Sequence, residues 1–260
     1  MPKIVVCHCN RPDFLKLQIE SYFKMCKDLE EIIVINDGAT PLIRKEIEDV
    51  SSRSTKVRCI NAPLLIDHSS APTACASVLQ WAYDEILNSG EKGKFAFLDA
   101  DMFPLGEFKI SDYLTSDKTF TVLKQERGPI DYPWNGIFFI DFDNIKNPRA
   151  IDWNCGVVKG FNVDCGGLTH LYFEKFGKDH VRFLTHTSHM SKAQVENLKF
   201  CPGDISKLYD VDYKLEVIEE IFLHYGSASN WQTSWLSPVD FKKHKTHYVL
   251  QWLRSVGAIT

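Results

Sequence analysis

Several features that would assign a protein to a class at once are missing from this sequence of 260 residues. No apolar run approaches the roughly 18 residues of a membrane-spanning helix, and the first apolar stretch is too short for a signal-peptide core. Lys and Arg number 30 against 34 Asp and Glu, and this net charge of −4 argues against a nucleic-acid partner. If this is the whole natural chain, we expect a cytoplasmic protein without an integral membrane segment.

Motifs of several enzyme and metal-site classes are missing as well. The sequence has no G-x-S-x-G elbow of a serine hydrolase, no H-E-x-x-H pair and no paired C-x-x-C knuckles for structural zinc. The eight cysteines are spread from Cys7 to Cys201, often inside apolar stretches. We therefore expect reduced, mostly buried thiols and not a disulfide framework.

Strand patterns alternate with helical patterns over the first hundred residues. The predicted strands are Lys3–Cys7, Glu31–Ile35, Val57–Ile60 and Phe95–Leu98, and the predicted helices open at Pro12, Pro41 and Ala71. This alternation predicts an α/β fold with a Rossmann-like, mostly parallel central sheet flanked by helices. Such sheets bind ligands beyond the carboxyl ends of their strands.

The second half of the chain has a different pattern. After Pro104 the alternation gives way to aromatic-rich segments, of which Phe120–Leu123 and Ile137–Asp141 are predicted to continue the same sheet. Glu216–Leu223 is predicted to be either a strand or a short helix, and Phe241–Val256 has the spacing of a terminal helix. We therefore expect residues 1–260 to form a single domain.

Two aspartates close the fourth predicted strand. Asp99 and Asp101 are separated by Ala100, so both carboxylates can reach the same ligand at the edge of the sheet. Two hard oxygen donors suit Mg²⁺ or Mn²⁺, which also bind the phosphates of a ligand. The alternative is a solvated loop that ends a strand, where Asp is a common residue.

Three segments together carry a resemblance to a known family. Val5–Pro12 reads VVCHCNRP, Ile33–Gly38 reads IVINDG, and Phe97–Asp101 reads FLDAD. In this order they resemble the strand ends of family 2-like GT-A glycosyltransferases, which move a sugar from a nucleotide diphosphate to an acceptor. The resemblance implies a GT-A fold with a small antiparallel extension on the acceptor side. It assigns residues 1–105 to the nucleotide sugar and residues 106–260 to the acceptor.

The resemblance also implies the residues of the donor site. Asp99 and Asp101 would hold Mn²⁺ or Mg²⁺ against the two phosphates, and Asp37 would touch the base or the ribose. The nucleotide sugar is expected to be a UDP-sugar, with GDP as an alternative. The segment around Asp37 lacks the second acidic residue of many relatives, which leaves the base open among UDP, GDP and dTDP. The expected donor-binding residues are Cys7, His8, Arg11, Asp37, Asp99, Ala100 and Ser227.

A late segment supplies the expected third metal ligand. Phe222–Gly226 resembles the family segment that places a histidine on the metal, which points to His224, with Ser227 beside the diphosphate. A neutral imidazole is an acceptable ligand for these ions. The alternative is a hydrogen-bonded histidine at the edge of the core.

Aromatic and amide side chains are expected to bind the acceptor. Trp134 and Asn135 precede the apolar run that starts at Ile137, and they resemble the family strand that lines the sugar and acceptor pocket. The face of a Trp ring suits a sugar, and an Asn side chain can hydrogen-bond its hydroxyl groups. Trp231 is also expected to bind the acceptor. The alternative for Trp134 is a structural residue in a turn after Pro133.

Asp164 is the expected catalytic base. It follows a glycine-containing loop and precedes the amphipathic run Leu168–Phe176, where inverting members of the family place their base. Its alternative role is the N-cap of that helix. A retaining outcome would fit better if no carboxylate faces the acceptor hydroxyl.

The expected function is therefore metal-dependent glycosyl transfer from a nucleotide sugar to a glycan or small-molecule acceptor. One alternative is a catalytically silent nucleotide-sugar-binding module of the same fold. A second is a phosphatase of the haloacid-dehalogenase type, in which the D-x-D pair normally follows the first strand and not the fourth.

Overall fold

The computed structural model describes residues 2–64, 70–187, 215–225 and 250–260 of the chain. Its strands, numbered along the chain, are β1 (Lys3–His8), β2 (Glu31–Asn36), β3 (Val57–Asn61), β4 (Lys94–Leu98), β5 (Met102–Pro104), β6 (Phe120–Arg127), β7 (Ile130–Asp141), β8 (Gly156–Val158), β9 (Phe161–Val163), β10 (Val181–Phe183), β11 (His186–Thr187), β12 (Leu215–Ile218) and β13 (Phe222–Tyr225). Its helices are α1 (Pro12–Met25), α2 (Pro41–Ser51), α3 (Ala71–Asn88) and α4 (Thr169–Phe176). Residues 250–255 are also helical, and residues 241–249 of the predicted terminal helix lie outside the described ranges.

Seven strands form the central sheet, in the order β10-β6-β7-β4-β1-β2-β3. β4, β1, β2 and β3 run parallel to one another, as do β10 and β6, whereas β7 is antiparallel to both of its neighbours. α1, α2 and α3 connect the four parallel strands. The predicted α/β fold with a mostly parallel central sheet is confirmed, and strands from both sides of residue 105 share that sheet.

The centres of β1, β2 and β4 are apolar because hydrophobic clusters cover both faces of the sheet. Ile4, Val5 and Val6 of β1 are at most 1% exposed. The helices α1, α2 and α3 begin as their sequences predict, since each of these three has Pro in its first turn, and the hydroxyls of Thr40 and Ser70 accept backbone N–H groups in the first turns of α2 and α3. Local sequence therefore determines this half of the fold.

Aromatic stacking ties the second half of the chain to the sheet. Phe138 of β7 stacks on Phe97 of β4 with ring centroids 4.4 Å apart. On its other side it stacks on Trp153 at 4.0 Å. Trp153 is fully buried, so the segment that leads to β8 is anchored against the core.

β6 and β7 extend beyond the two short strands that were predicted. They form a hairpin closed at Gly128, whose φ is +60°, with an irregular register between Val122 and Lys124. Trp134 therefore lies inside β7, and the interpretation of a turn after Pro133 is wrong. The irregular register and the position of Pro133 in the outer half of the hairpin explain how a strand contains a proline there.

The segment predicted as one strand or a short helix is neither. Glu219 and Glu220 adopt left-handed φ values of 53° and 56°, and they turn the chain between β12 and β13. These strands belong to an antiparallel sheet in the order β11-β12-β13-β5, and β8 pairs with β9 in a separate hairpin. These two small sheets are the predicted antiparallel extension.

Among the described residues the cysteines form no disulfide, and fewer of them are buried than expected. The seven that are described are free, and Cys26 and Cys165 are fully buried while the other five are half-buried. Several half-buried thiols, including Cys7 and Cys75, line a cavity and are not enclosed in the core. Within the described part of the chain, no helix has both the length and the apolar character that crossing a membrane requires. The cytoplasmic location stays a prediction.

Candidate active site

The D-x-D segment is a short, tightly held turn between β4 and β5. The backbone N–H of Asp99 donates to the carbonyl of Gly136 in β7 at 2.9 Å, and Met102 N–H donates to the carbonyl of Asp99 at 3.1 Å. The Asp99 carboxylate accepts the N–H of Ala100 at 2.8 Å. β4 thus delivers the pair to the carboxyl edge of the parallel sheet, where ligands bind in such folds.

The side chain of Gln18 in α1 hydrogen-bonds to the backbone of this turn. It is fully buried, and its amide nitrogen donates to the carbonyls of Asp99 and Met102, each at 2.8 Å. Its amide oxygen lies 2.7 Å from Nε2 of His8, which therefore donates to it. Sequence reasoning missed Gln18. The available signal was a polar residue on the apolar face of α1, three residues after Leu15 and four before Tyr22.

His224 reaches the D-x-D turn through the pairing of β13 with β5. His224 is opposite Met102 in the register, and Tyr225 N–H donates to the carbonyl of Asp101 at 3.0 Å. One ligand atom from each of Asp99, Asp101 and His224 lies within 4.8 Å of the others. The structure therefore brings together the three side chains that were predicted to bind a metal.

Besides Asp101, the side chains of Glu216 and Trp134 contact the imidazole of His224. Nδ1 of His224 lies 2.6 Å from Oε2 of Glu216, and Nε2 lies 3.4 Å from Oδ1 of Asp101. The Trp134 ring packs against the imidazole with centroids 4.7 Å apart. Glu216 was not predicted, because no local pattern shows which residue faces His224 across the hairpin.

The electrostatics of the cluster reflect an excess of negative charge. Desolvation and then the charge of Asp101 raise the pKa of Asp99 to about 7. Burial lowers the pKa of His224, but Asp101 and Glu216 outweigh this effect and raise it to about 10. A divalent cation would relieve the repulsion between the carboxylates more effectively than a proton. Two carboxylates and an imidazole also form a donor set that fits Mn²⁺ or Mg²⁺.

The cluster lies in the wall of a cavity of about 440 Å³. The predicted site residues that line this cavity are Cys7, His8, Asp37, Asp99, Ala100, Asp101, Trp134, Asn135, Asp164 and His224. They come from the ends of β1, β2 and β4, from β7 and β13, and from the segment after β9. The cavity has the size of a small-molecule site.

Arg11 is not among the residues that line the cavity. Its guanidinium donates twice to the Asp13 carboxylate, at 2.8 and 2.6 Å, and lies over the ring of Phe14 at 3.5 Å. A contact between Arg11 and the donor stays a prediction. Ser227 and Trp231 lie outside the described residues.

Asp164 faces the cavity from the segment between β9 and α4. Its carboxylate accepts the N–H of Cys165 at 2.9 Å and lies 3.7 Å from the Arg127 guanidinium. The helix begins only at Thr169, with Leu168 as its N-terminal cap residue, so the interpretation of Asp164 as the N-cap is wrong. Nearby, the Asn135 amide donates to the Cys75 thiol at 3.1 Å, which fixes this side chain in the cavity wall.

His8 and Asp37 occupy the ends of β1 and β2 in the same cavity. Burial lowers the pKa of His8 to about 4, so this ring is neutral near pH 7. Asp37 is buried, its N–H donates to the carbonyl of His8 at 2.9 Å, and the Arg44 guanidinium lies 4.0 Å from its carboxylate. A neutral ring and a carboxylate thus stand side by side at the edge of the parallel strands.

Comparison with known proteins finds similarity in structure and not in sequence. No protein-family model and no curated protein match the chain. A crystal structure of the galactosyltransferase LgtC in complex with donor and acceptor sugar analogs aligns over 100% of this chain and 96% of its own, with a TM-score of 0.50 and 12% identity. A crystal structure of an active-site mutant of LgtC aligns over 96% of each chain, with a TM-score of 0.51 and 13% identity. The protein therefore has the GT-A fold of these glycosyltransferase structures.

Proposed function

We propose that this protein is a metal-dependent glycosyltransferase that moves a sugar from a nucleotide diphosphate sugar to a hydroxyl group of a glycan or small-molecule acceptor. The observation that carries the proposal is the cluster of Asp99, Asp101 and His224 within 4.8 Å, in the wall of a cavity of about 440 Å³. The GT-A fold supports it, as does the similarity to an LgtC structure that holds donor and acceptor sugar analogs. A UDP-sugar is the favoured donor, with a GDP-sugar as the alternative.

The donor half of the site contains the groups that would stabilise a charged leaving group. Asp99, Asp101 and His224 would hold Mn²⁺ or Mg²⁺, and the bound cation would supply positive charge to the departing diphosphate. Gln18 hydrogen-bonds to the D-x-D turn, so the backbone of this turn is already held before the ligand binds. His8 and Asp37 line the same cavity and are proposed to contact the nucleoside.

The acceptor half supplies a base and a platform. Asp164 is proposed to accept the proton of the acceptor hydroxyl while that oxygen bonds to the anomeric carbon and the bond from this carbon to the diphosphate breaks. This arrangement inverts the anomeric centre, and retention stays the alternative if Asp164 does not face the hydroxyl. Trp134, whose side chain is half-buried, offers a surface for a sugar ring beside Asn135.

Calorimetric titration with UDP and GDP in the presence of Mn²⁺, followed by assays of nucleotide release from a panel of UDP- and GDP-sugars, tests the proposal. A transferase binds one nucleotide only with the cation and releases it from one donor in the presence of an acceptor. Binding without release would identify a silent binding module, and hydrolysis of phosphate esters alone would identify a phosphatase. Failure to bind either nucleotide would overturn the proposal.

Substitution of Asp164 tests the catalytic base. In Asp164→Asn we expect turnover to fall by about 100-fold or more, because the amide cannot accept the proton, while Mn²⁺ and nucleotide affinities stay unchanged. Asp143→Asn, which alters an exposed aspartate outside the cavity, is the matched control. Unchanged turnover in Asp164→Asn would remove the residue from the mechanism, and NMR of the product would show whether the anomeric centre is inverted.

A further inference from the structure

We propose that Glu216 is a positioning residue of the cation site, which holds the ring of His224 so that one nitrogen is presented to the cation beside Asp101. This inference rests on the proposed function, because it takes His224, Asp99 and Asp101 to be the ligands. Glu216 itself would not touch the cation. Its role would be to determine which nitrogen of His224 carries the proton and how the ring is oriented.

Strand pairing places Glu216 behind His224. The two residues are direct partners in the antiparallel pair of β12 and β13, so their side chains lie on the same face of the small sheet. On its other side His224 is opposite Met102, the residue that follows the D-x-D turn. The order across the sheet is therefore Glu216, then His224, then the D-x-D turn.

The hydrogen bond at Nδ1 selects the tautomer of the ring. A carboxylate only accepts hydrogen bonds, so the contact of 2.6 Å between Glu216 Oε2 and His224 Nδ1 places a proton on Nδ1. In the neutral ring that binds a cation, the lone pair is therefore on Nε2, which lies 3.4 Å from Oδ1 of Asp101. A histidine that binds a metal through one nitrogen commonly donates the other N–H to a carboxylate, which fixes the tautomer and the ring orientation.

The location of Glu216 favours positioning over direct ligation. The carboxylate meets the nitrogen that points away from Asp101, and the group of ligand atoms within 4.8 Å comprises Asp99, Asp101 and His224. The Glu216 side chain is only 18% exposed, so this hydrogen bond is largely shielded from water and correspondingly strong. The Trp134 ring also packs against the imidazole in a T-shaped arrangement, so the ring of His224 is constrained by two side chains.

Mn²⁺ binding, measured by electron paramagnetic resonance of the free ion, tests the inference without an activity assay. We expect Glu216→Ala to weaken Mn²⁺ binding by about 10- to 100-fold. Glu216→Gln is expected to weaken it less, because the amide oxygen can still accept the Nδ1 proton. The matched control is Glu220→Gln, which removes the same charge from an exposed position of the same hairpin and should leave Mn²⁺ affinity unchanged.

Two further measurements separate positioning from a general loosening of the site. Nitrogen ligands favour Mn²⁺ over Mg²⁺, so Glu216→Ala should weaken Mn²⁺ binding more than Mg²⁺ binding, as measured by displacement of Mn²⁺. In a His224→Ala background, Glu216→Ala should have no additional effect on Mn²⁺ affinity, because both changes remove the same interaction. Equal loss of both cations, or fully additive effects, would overturn the inference.

The outcome for the wild-type protein separates this inference from the proposed function. If the wild type binds no Mn²⁺ even with nucleotide present, the cation site itself is wrong. If the wild type binds Mn²⁺ and Glu216→Ala binds it equally well, the cation site stands and the role of Glu216 is wrong. Thermal unfolding of each variant shows whether the hairpin is still folded.

Discussion

The two edges of the parallel sheet both carry charged side chains, but they use them differently. At the amino edge, Lys3 lies 3.1 Å from Glu31 and also contacts Glu91, and Arg58 binds the same two carboxylates. Two positive charges meet two negative ones, so this network is balanced within the chain. At the carboxyl edge, three carboxylates, those of Asp99, Asp101 and Glu216, surround the single imidazole of His224.

The comparison of the two edges distinguishes a structural charge cluster from a ligand site. The balanced network needs no further ion, and its side chains are partly exposed, so it contributes little to stability. Within the described cluster of Asp99, Asp101, Glu216 and His224, the carboxylates outnumber the imidazole, and burial together with the charge of Asp101 raises the pKa of Asp99. An excess of charge at the ligand-binding edge of a sheet is what a cation can compensate.

The largest expected effect comes from removing a carboxylate at the carboxyl edge. In Asp101→Asn we expect metal-dependent transfer to fall by about 1,000-fold or more, since the cation loses a ligand. We expect the free energy of unfolding to change little, because the substitution relieves the repulsion between Asp101 and Asp99 but also removes the pairing of Asp101 with His224. Nucleotide release with Mn²⁺ and urea unfolding measure the two quantities. A fully active variant would show that the D-x-D pair does not hold the cation.

The next effect concerns the support beneath the site. Gln18→Leu removes one donor from each of the carbonyls of Asp99 and Met102 and the acceptor of the His8 Nε2 proton, and it should lower the free energy of unfolding by about 3 kcal/mol, with a loss of Mn²⁺ affinity as the turn loosens. The control is Ser21→Ala on the same helix, which removes the hydrogen bond from the Ser21 hydroxyl to the carbonyl of Gln18 and should lower the free energy of unfolding by less than about 1 kcal/mol. Equal stability of the two variants would argue against a special role for Gln18.

A pH dependence of stability is expected from the same edge. Burial lowers the pKa of His8 from its ordinary value of 6.5 to about 4 in the folded protein, so the unfolded state binds the proton first as the pH falls. The free energy of unfolding should therefore fall between pH 6.5 and pH 4, by at most about 1.4 kcal/mol per pH unit. Urea unfolding over this range should show a smaller slope for His8→Asn. Identical slopes would contradict the assignment of a neutral, buried ring.

The smallest effect is expected at the amino edge. Arg58→Met breaks ion pairs with Glu31 and Glu91 but should lower the free energy of unfolding by less than about 1 kcal/mol, because the arginine side chain is 37% exposed. Mn²⁺ affinity should stay unchanged, and high salt should shrink the difference from wild type. A large loss of Mn²⁺ affinity in this variant would contradict the inference that only the carboxyl edge takes part in cation binding.

Much of the first half of the fold could be predicted from the sequence, because its signals are local. The apolar runs of β1, β2 and β4 and the prolines that open the helices determine these elements within a few residues. The positions of Asp99 and Asp101 follow from the end of β4. The hairpin of β6 and β7 was predicted too short because its outer half alternates less clearly and contains Pro133.

The candidate site could be predicted only in part, because several of its contacts join distant segments. Gln18 is separated from Asp99 by 81 positions and binds its carbonyl. Such contacts depend on how elements pack and not on their own periodicity.

The residues that could perform the chemistry can be identified from the sequence alone. They are a D-x-D pair at the end of an apolar strand and a histidine in a late segment, because strand ends and ligand types follow from local composition. Only the tertiary structure decided that β13 pairs with β5 and β12, and hence that His224 lies between Asp101 and Glu216. The physical reason is that register between distant strands is determined by the packing of the whole sheet.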